Sequence, residues 1–355
     1  MIMPDDRRFL ERFGIELPIV QGPMAGCTTP DMVAAVSNAG GLGSLPAALL
    51  SADQMRESME QIRAQTNRPM NVNFFTHTPP QPDPAAQEKW RARLAPYYSE
   101  LGLDPAAPAP ASNRAPFDDA FCTLVEHFRP EIVSFHFGLP ENSLLERVRA
   151  TGAKIIACAT TVAEARWLDE RGVDAIIAMG YEAGGHRGMF LTEDLATQAG
   201  TFALVPQVVD AVSVPVIAAG GIADPRGVKA AFALGAAAVQ VGTAYLLTPE
   251  ARITGFHRAA LKAATDEGTT VTNLFTGRPA RGLLNRLMRE IGPVSDDAPA
   301  FPTAGGALIP LRAITERDGR SDFSNMWAGQ AAGLSREMSS AELTRYLVAA
   351  PGIKA

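Results

Sequence analysis

Only three cysteines occur in 355 residues, Cys27, Cys122 and Cys158, an odd number set far apart. Neither a disulfide framework nor a zinc site follows from that spacing, and buried reduced thiols are the default. The five histidines show no His-x-x-x-His spacing, and the carboxylates do not cluster with them, so a metal site is not indicated. Charge of one sign is also scarce: 32 Lys and Arg against 38 Asp and Glu leave a net −6, with no basic run interleaved with aromatics. Nucleic acid is thereby excluded as a partner, and the acidic excess is too mild to imply a cationic one. Long hydrophobic runs are missing as well. The start, Met-Ile-Met-Pro-Asp-Asp-Arg-Arg, lacks a signal-type apolar region, and later apolar segments are too short and glycine-broken to span a bilayer. A soluble, cytoplasmic protein is expected. No internal repeat stands out.

What is present is a rhythm. Short apolar, β-branched runs recur between amphipathic helical stretches, around Pro18-Ile-Val20, Gly41-Leu-Gly-Ser-Leu45, Met70-Asn-Val-Asn-Phe74, Ile132-Val-Ser-Phe-His136, Lys154-Ile-Ile-Ala157, Ala175-Ile-Ile-Ala178, Val216-Ile-Ala218 and Ala238-Val-Gln-Val241. Eight strands, each followed by a helix, predict an α/β fold of the (β/α)8 TIM barrel type. Helix starts fall between them at Thr29-Pro30-Asp31, at Asp224-Pro225 and at Ser51-Ala-Asp-Gln, a capping-type serine with glutamine three residues on. A doubly wound open sheet is the competing architecture. The count favours the barrel, as does the absence of Gly-x-Gly-x-x-Gly after the first strand.

Two regions break the rhythm. Residues 77–117 carry Thr78-Pro-Pro-Gln-Pro-Asp-Pro84 and Pro105-Ala-Ala-Pro-Ala-Pro110, which favour extended chain around a short helix near Ala85 to Leu94 and suggest a cap inserted over the barrel mouth. The expected division is therefore a barrel of residues 1–76 and 118–250, a proline-rich cap of 77–117, and a smaller, mostly helical second domain of 251–355. Its last amphipathic helix, with Leu334, Leu343 and Leu347, packs on the barrel or on another subunit; a homodimer is one expectation.

Barrel enzymes carry their chemistry on the loops after the strands. The run Gly180-Tyr-Glu-Ala-Gly-Gly-His-Arg-Gly188 follows the apolar segment ending at Met179, which sets the imidazole of His186 at a strand mouth between glycines, Gly184 and Gly185 among them. Such glycines allow close approach to a ligand, and imidazole exchanges protons near neutral pH; the plainer alternative is a surface loop. After the seventh strand come Gly220 and Gly221, and in and after the eighth Gln240, Val241, Gly242 and Thr243. Bare glycine amides at helix N-termini bind phosphate, with the Thr243 hydroxyl as a further donor, or else merely allow tight turns. The first strand leads to Pro23, Met24 and Ala25, whose backbone suits a planar ring, and Asn73 ends the third. Two phosphate-type loops and two suited to an aromatic ring describe a flavin mononucleotide (FMN) pocket better than a sugar-phosphate pocket. His136 on the fourth strand flanks that pocket if it points inward and is a core histidine if outward. Glu182 is read as orienting a loop amide or Arg187.

Taken together these segments resemble the FMN-dependent nitronate monooxygenases, formerly 2-nitropropane dioxygenases, of the bacterial class I group. The matching elements run in order from Pro18-Ile-Val-Gln-Gly-Pro-Met-Ala-Gly26 through Glu182-Ala-Gly-Gly-His-Arg-Gly188, Ala219-Gly-Gly-Ile222 and Gln240-Val-Gly-Thr243 to Trp327-Ala-Gly-Gln330. The resemblance implies that Asn73, Gly184, Gly221 and the segment from Gln240 to Thr243 contact FMN, that Pro23, Met24 and Ala25 lie beside it, and that His186 is the catalytic histidine, with His136 as a second candidate. It implies oxidation of alkyl nitronates such as propionate 3-nitronate by O2 to a carbonyl compound and nitrite. Two departures are visible. Met179 stands where the family commonly has a flavin-contacting glutamine, and a stretch bearing two tyrosines and a lysine aligns with Phe301, Gly305 and Ile309, which removes a partner for a substrate carboxylate. An NAD(P)H-dependent flavin reductase of quinone or enoyl type is the rival oxidoreductase. A phosphosugar isomerase or aldolase is the rival from another class, though it usually wants a lysine or carboxylate at a strand's C-terminal end, and Lys154 sits at a strand start.

Overall fold

The structure is a computed structural model and describes residues 1–4, 7–108, 110 and 114–350. Asp5 and Asp6 of the expected barrel, residues 109 and 111–113 of the expected cap, and residues 351–355 of the second region lie outside the described residues.

All eight predicted runs are strands: β1 (Ile19–Gln21), β2 (Gly43–Pro46), β3 (Met70–Phe75), β4 (Ile132–His136), β5 (Lys154–Ala159) and β6 (Ala175–Met179), then, after a short strand β7 (Gly185–His186), β8 (Val216–Ala219) and β9 (Ala238–Val241). They are parallel in the order β1-β9-β8-β6-β5-β4-β3-β2. The sheet closes where the Gln21 amide donates to the Leu42 carbonyl and the Leu42 amide to that of Ile19. Closure settles the architecture as a TIM barrel and excludes the open doubly wound sheet. The expected caps are in place: Thr29 accepts from the Met32 amide, Asp224 from the amides of Arg226 and Gly227, and Ser51 forms a capping box with Gln54.

Strand periodicity sorts the core into two layers. Val133, Ile155, Ile176, Ala218, Val239 and Val241 face the helices in the larger apolar cluster. Ile132, Ile156, Ala175, Ile177, Ile217 and Ala238 face the barrel axis and meet Phe9, Leu10, Phe13 and Ile15. The helix Arg8–Phe13 thus supplies apolar side chains to the barrel interior at the strands' N-terminal ends. Higher up the interior turns polar. Asn71 donates to the hydroxyls of Ser44 and Ser134, and Asn73 to the Ser134 hydroxyl.

The helix expected near Ala85 to Leu94 is longer, Pro84–Glu100, capped by Asp83. Its apolar residues Trp90, Leu94, Tyr97 and Tyr98 cluster with Leu274, Leu287, Leu308 and Phe323. The Trp90 indole donates to the Ala304 carbonyl and Tyr98 to that of Ala307. Residues beyond Pro249 include helices, but also β10 (Thr269–Thr272) and β11 (Ala280–Leu283), which join β7 in an antiparallel sheet of order β10-β11-β7. The sequence suggests only helices and loops here because four-residue strands such as Ala280-Arg-Gly-Leu283 show no apolar alternation. The C-terminal helix Ser340–Leu347 returns to the barrel, with Leu343 and Leu347 in the main core, while Leu334 lies outside it and is 45% exposed.

Because Trp90 is fully buried at this docking surface, Trp90→Ala should cost about 3–5 kcal/mol of stability, read from denaturant unfolding. A loss below ~1 kcal/mol, within the range of ordinary surface substitutions, would mean that the helix does not dock as described.

Candidate active site

A cavity of about 210 Å3 opens at the C-terminal ends of the strands, many times the ~30 Å3 a water occupies in the liquid. Its wall includes Pro23, Met24, Ala25, Asn73, His136, Met179, Gly184, Gly185, His186, Gly220, Gly221, Gln240, Gly242 and Thr243. Every site residue expected from sequence is there except Val241. That side chain alternates away from Gln240 and packs among the helix-facing residues, so only its backbone is near: its carbonyl accepts from the Gly22 amide at 2.8 Å.

Two sequence alternatives resolve by alternation and by partner. His136 follows Ile132 and Ser134 on the axial face of β4 and reaches the cavity, where its Nε2–H donates to the His186 carbonyl at 3.1 Å. Glu182 accepts from both the amide and the hydroxyl of Thr201, so the amide it orients is the first of the helix Thr201–Val209 and not a loop amide. Arg187 is held instead by other partners. It is buried and donates to the carbonyls of Gly180 at 2.7 Å and Met179 at 2.8 Å and to the Gln198 side chain. Burial lowers its pKa to about 10.

The His186 loop is clamped from outside the barrel. Gly185 and His186 form β7 and pair with Arg281 and Ala280 of β11. The Arg187 amide continues the ladder to the Pro279 carbonyl at 2.8 Å. Gly184 permits a second close approach, since a Cβ there would stand 2.5 Å from the Gly329 nitrogen. Gly329 in turn donates to the Thr243 hydroxyl oxygen at 2.9 Å, which leaves that hydroxyl's own proton for a ligand.

The glycine loops differ in detail from the expected phosphate cradle. Gly220 and Gly221 have φ of 112° and 71°, but the helix that follows is already capped by Asp224, so its N-terminus is occupied. The short 3-10 helix beginning at Thr243 has no side-chain cap. A Cβ on Gly242 would meet only the Met24 sulfur, at 3.8 Å, and one on Gly185 would meet nothing within 4 Å. Gln240 Oε1 is buried and has no hydrogen-bond partner among the described residues, an acceptor waiting for a donor. An orphaned acceptor, bare glycines and an uncapped turn around one cavity fit the ring edge and phosphate of a flavin nucleotide. Met179 offers only its sulfur, 3.6 Å from that of Cys158.

Electrostatics around the two histidines is positive. Burial first, then the charges of Arg114, His136, Arg278 and His77, pushes the pKa of His186 well below its ordinary value. His136 is lowered to about 4, chiefly by burial and only partly offset by its bond to the His186 carbonyl. Both rings are therefore neutral at pH 7. The cations are Arg114, which lines the cavity, and Arg278, whose guanidinium stacks 4.1 Å from the Phe137 ring centroid. Neither stands out in the sequence, nor does Thr276, because none of the three lies in a glycine-rich or strand-end motif. Aromatic rings complete the wall: Phe301, Trp327 and Phe75 lie 5.3, 5.4 and 5.8 Å from the His186 ring. Of the three aligned departures only Phe301 reaches this region. Gly305 abuts the Phe275 carbonyl and Ile309 is 40% exposed.

Fold and site together define a (β/α)8 barrel enzyme with a nucleotide-suited, glycine-lined cavity and a neutral histidine in its wall. Residues 7–350 match the family described as nitronate monooxygenase. A nitronate monooxygenase from Pseudomonas aeruginosa is 41% identical over 343 residues, 96% of this chain and 98% of its own. A solved structure of a nitroalkane oxidase from Streptomyces ansochromogenes superposes with a TM-score of 0.86 at 38% identity, covering 96% of each chain. The structure of FabK from Thermotoga maritima follows with 0.73 at 27% identity, covering 98% of this chain and 96% of that one. The chain belongs to the nitronate monooxygenase family, whose members are flavin-dependent enzymes that oxidise nitronates.

Two buried histidines, His77 and His257, and two half-buried ones, His136 and His186, give the fold a pH signature. His77, His136 and His257 are lowered from 6.5 to about 4, with burial the largest cause in each, and His186 lies well below 6.5. The unfolded chain then binds more protons than the folded one below pH 6.5, so stability is complete above that value and is lost as pH falls toward 4. Each tenfold weakening of proton binding is worth ~1.4 kcal/mol, so the loss should reach several kcal/mol. Denaturant midpoints measured from pH 7.5 to 4 check this, and a flat profile would contradict it.

Proposed function

We propose that this chain binds FMN in the described cavity and oxidises alkyl nitronates with O2 to an aldehyde or ketone plus nitrite. The observation that carries the proposal is the neutral His186 imidazole in the wall of a flavin-suited cavity that Arg114 also lines, with Arg278 stacked on Phe137. Gly220, Gly221, Gly242 and Thr243 would hold the phosphate. Asn73, Gln240, Gly184 and the loop Pro23, Met24 and Ala25 would address the ring, with Met179 against it. Bound there, FMN supplies the electron acceptor that the side chains lack.

The chain's own residues do the rest. Arg114 and Arg278 give the cavity a positive field that favours the nitronate anion over its neutral conjugate acid. His186, neutral in the physiological range, accepts the α-proton when the nitroalkane form enters, so that the reacting species stays the anion. His136 fixes the His186 backbone through its carbonyl. Phe75, Phe301 and Trp327 exclude water around the imidazole. Residues 77–117 and the segment carrying Asn325, Trp327 and Gly329 act as a cap, supported by the presence of Arg114, Asn325, Trp327 and Gly329 in the cavity wall. A cytoplasmic location agrees with the three free cysteines, and among the described residues no helix is long and apolar enough to cross a membrane. Among the described residues no lysine lines the cavity, since Lys154 begins β5, at the opposite end, beside Asp174 at 3.8 Å, and the Glu182 carboxylate in the wall is engaged by Thr201, which disfavours the isomerase and aldolase reading.

Anaerobic absorbance spectra of the purified protein with propionate 3-nitronate, ethyl nitronate and NADPH test the proposal. Nitronate alone should bleach the flavin band and NADPH should not; the reverse result would assign the chain to the reductases. His186→Asn should keep bound flavin and lose about 10²–10⁴-fold in turnover, whereas unchanged turnover would remove His186 from the chemistry.

A further inference from the structure

We infer that Thr276 is a positioning residue that fixes the tautomer of His186, so that Nδ1 is the proton-accepting atom of the ring. The inference rests on the reading of His186 given above and adds which nitrogen serves and what holds it.

His186 Nε2 lies 3.0 Å from Thr276 Oγ1. An imidazole nitrogen and a hydroxyl can each donate or accept, so the contact alone leaves two arrangements. The surroundings of Thr276 choose between them. Its hydroxyl lies 3.3 Å from the Arg278 carbonyl oxygen, which can only accept, and it receives the Arg278 amide at 3.5 Å. With its one proton assigned to that carbonyl, Oγ1 accepts from His186, and Nε2 carries the hydrogen. The neutral ring then has its lone pair on Nδ1, and the positive charges of Arg114 and Arg278 oppose a second proton.

Thr276 is itself held. It is 1% exposed, and the next residue, Gly277, has φ of 89° with its backbone pressed so close to the Pro299 carbonyl that a Cβ would stand 2.1 Å from that oxygen. The Gly277 amide returns to the Asn273 carbonyl at 2.8 Å. This turn runs directly into β11, the strand that pairs with His186. One segment therefore fixes both the backbone and the ring of the histidine. His186 lines the cavity, and with Nε2 bonded to Thr276, Nδ1 is the nitrogen left to meet a ligand.

The test compares Thr276→Val, which keeps the shape and removes the hydroxyl, with Thr276→Ser, which restores it, both as FMN-loaded protein whose flavin absorbance certifies the fold. With 15N-histidine labelling, the five imidazoles are few enough to assign. The parent and Thr276→Ser should show His186 protonated on Nε2 alone at pH 7, and Thr276→Val should show a mixed or reversed tautomer. In turnover, Thr276→Val should lose tenfold or more in kcat/KM with neutral nitroethane and less than threefold with preformed ethyl nitronate, which needs no proton removed. An Nε2–H tautomer unchanged in Thr276→Val overturns the inference. So does an equal loss with both substrates, the mark of a merely structural role. Failure of the parent to oxidise any nitronate would instead refute the proposed function, and the NMR comparison would still decide the role of Thr276.

Discussion

The pairing of Gly185 and His186 with Ala280 and Arg281 is the interaction on which the site depends. A glycine-flanked histidine at a barrel mouth would by itself be a mobile loop, since each glycine adds backbone freedom that must be removed to place a ring. Here the loop becomes a strand of a second, antiparallel sheet. Arg281, 2% exposed, reinforces the join from beneath by donating to the Tyr181 carbonyl and to the Thr269 hydroxyl. Arg187 braces the other side through the carbonyls of Met179 and Gly180. The two arginines do structural work, and the charge that lines the cavity comes from Arg114, with Arg278 stacked on Phe137.

The barrel beneath supplies a gradient that makes this arrangement useful. Apolar residues and the N-terminal helix fill the interior at the N-terminal ends of the strands, amides and hydroxyls of Asn71, Asn73, Ser44 and Ser134 occupy the middle, and bare glycine backbone rims the mouth. A ligand entering from above meets directed donors and acceptors without displacing core side chains, with Asn325, Trp327 and Gly329 in the wall beside it. In such a setting burial keeps imidazoles neutral and strengthens the pull of nearby guanidinium groups on an anion. Met179 and Cys158, their sulfurs 3.6 Å apart, give the cavity an apolar, sulfur-lined patch. Ile309, where the resemblance implies that a lysine is missing, is 40% exposed, and the cavity has its own cation in Arg114.

Much of this is legible in the sequence. The eight strands announce themselves because each is a short apolar run bounded by turn and capping residues, and the glycine motifs after β6, β8 and β9 mark the functional face. The residues that escape notice share a physical reason. Thr276 and Arg278 lie in an irregular turn, and Arg114 lies in the proline-rich insertion; they reach the site only through tertiary packing, which no local period records. Strand β11 is hidden because buried Arg281 breaks the apolar alternation that strands normally show, and β10 because its four residues, Thr269-Thr-Val-Thr272, carry a single apolar side chain. Val241 is misplaced when a whole motif is taken as contacts, although alternate residues of a strand must face opposite ways. His136 cannot be placed by pattern alone, and the same alternation decides it once Ile132 is seen to face the axis.

Amide hydrogen exchange across residues 183–189, followed by mass spectrometry, tests the central constraint most directly. If the pairing of β7 with β11 holds His186 in place, this glycine-rich segment exchanges about as slowly as the barrel strand β5, because its amides are locked in a ladder that includes the bond from Arg187 to the Pro279 carbonyl. Exchange as fast as in an open surface loop would show that the histidine is not held by the second sheet, and the account of the site built on that pairing would fail.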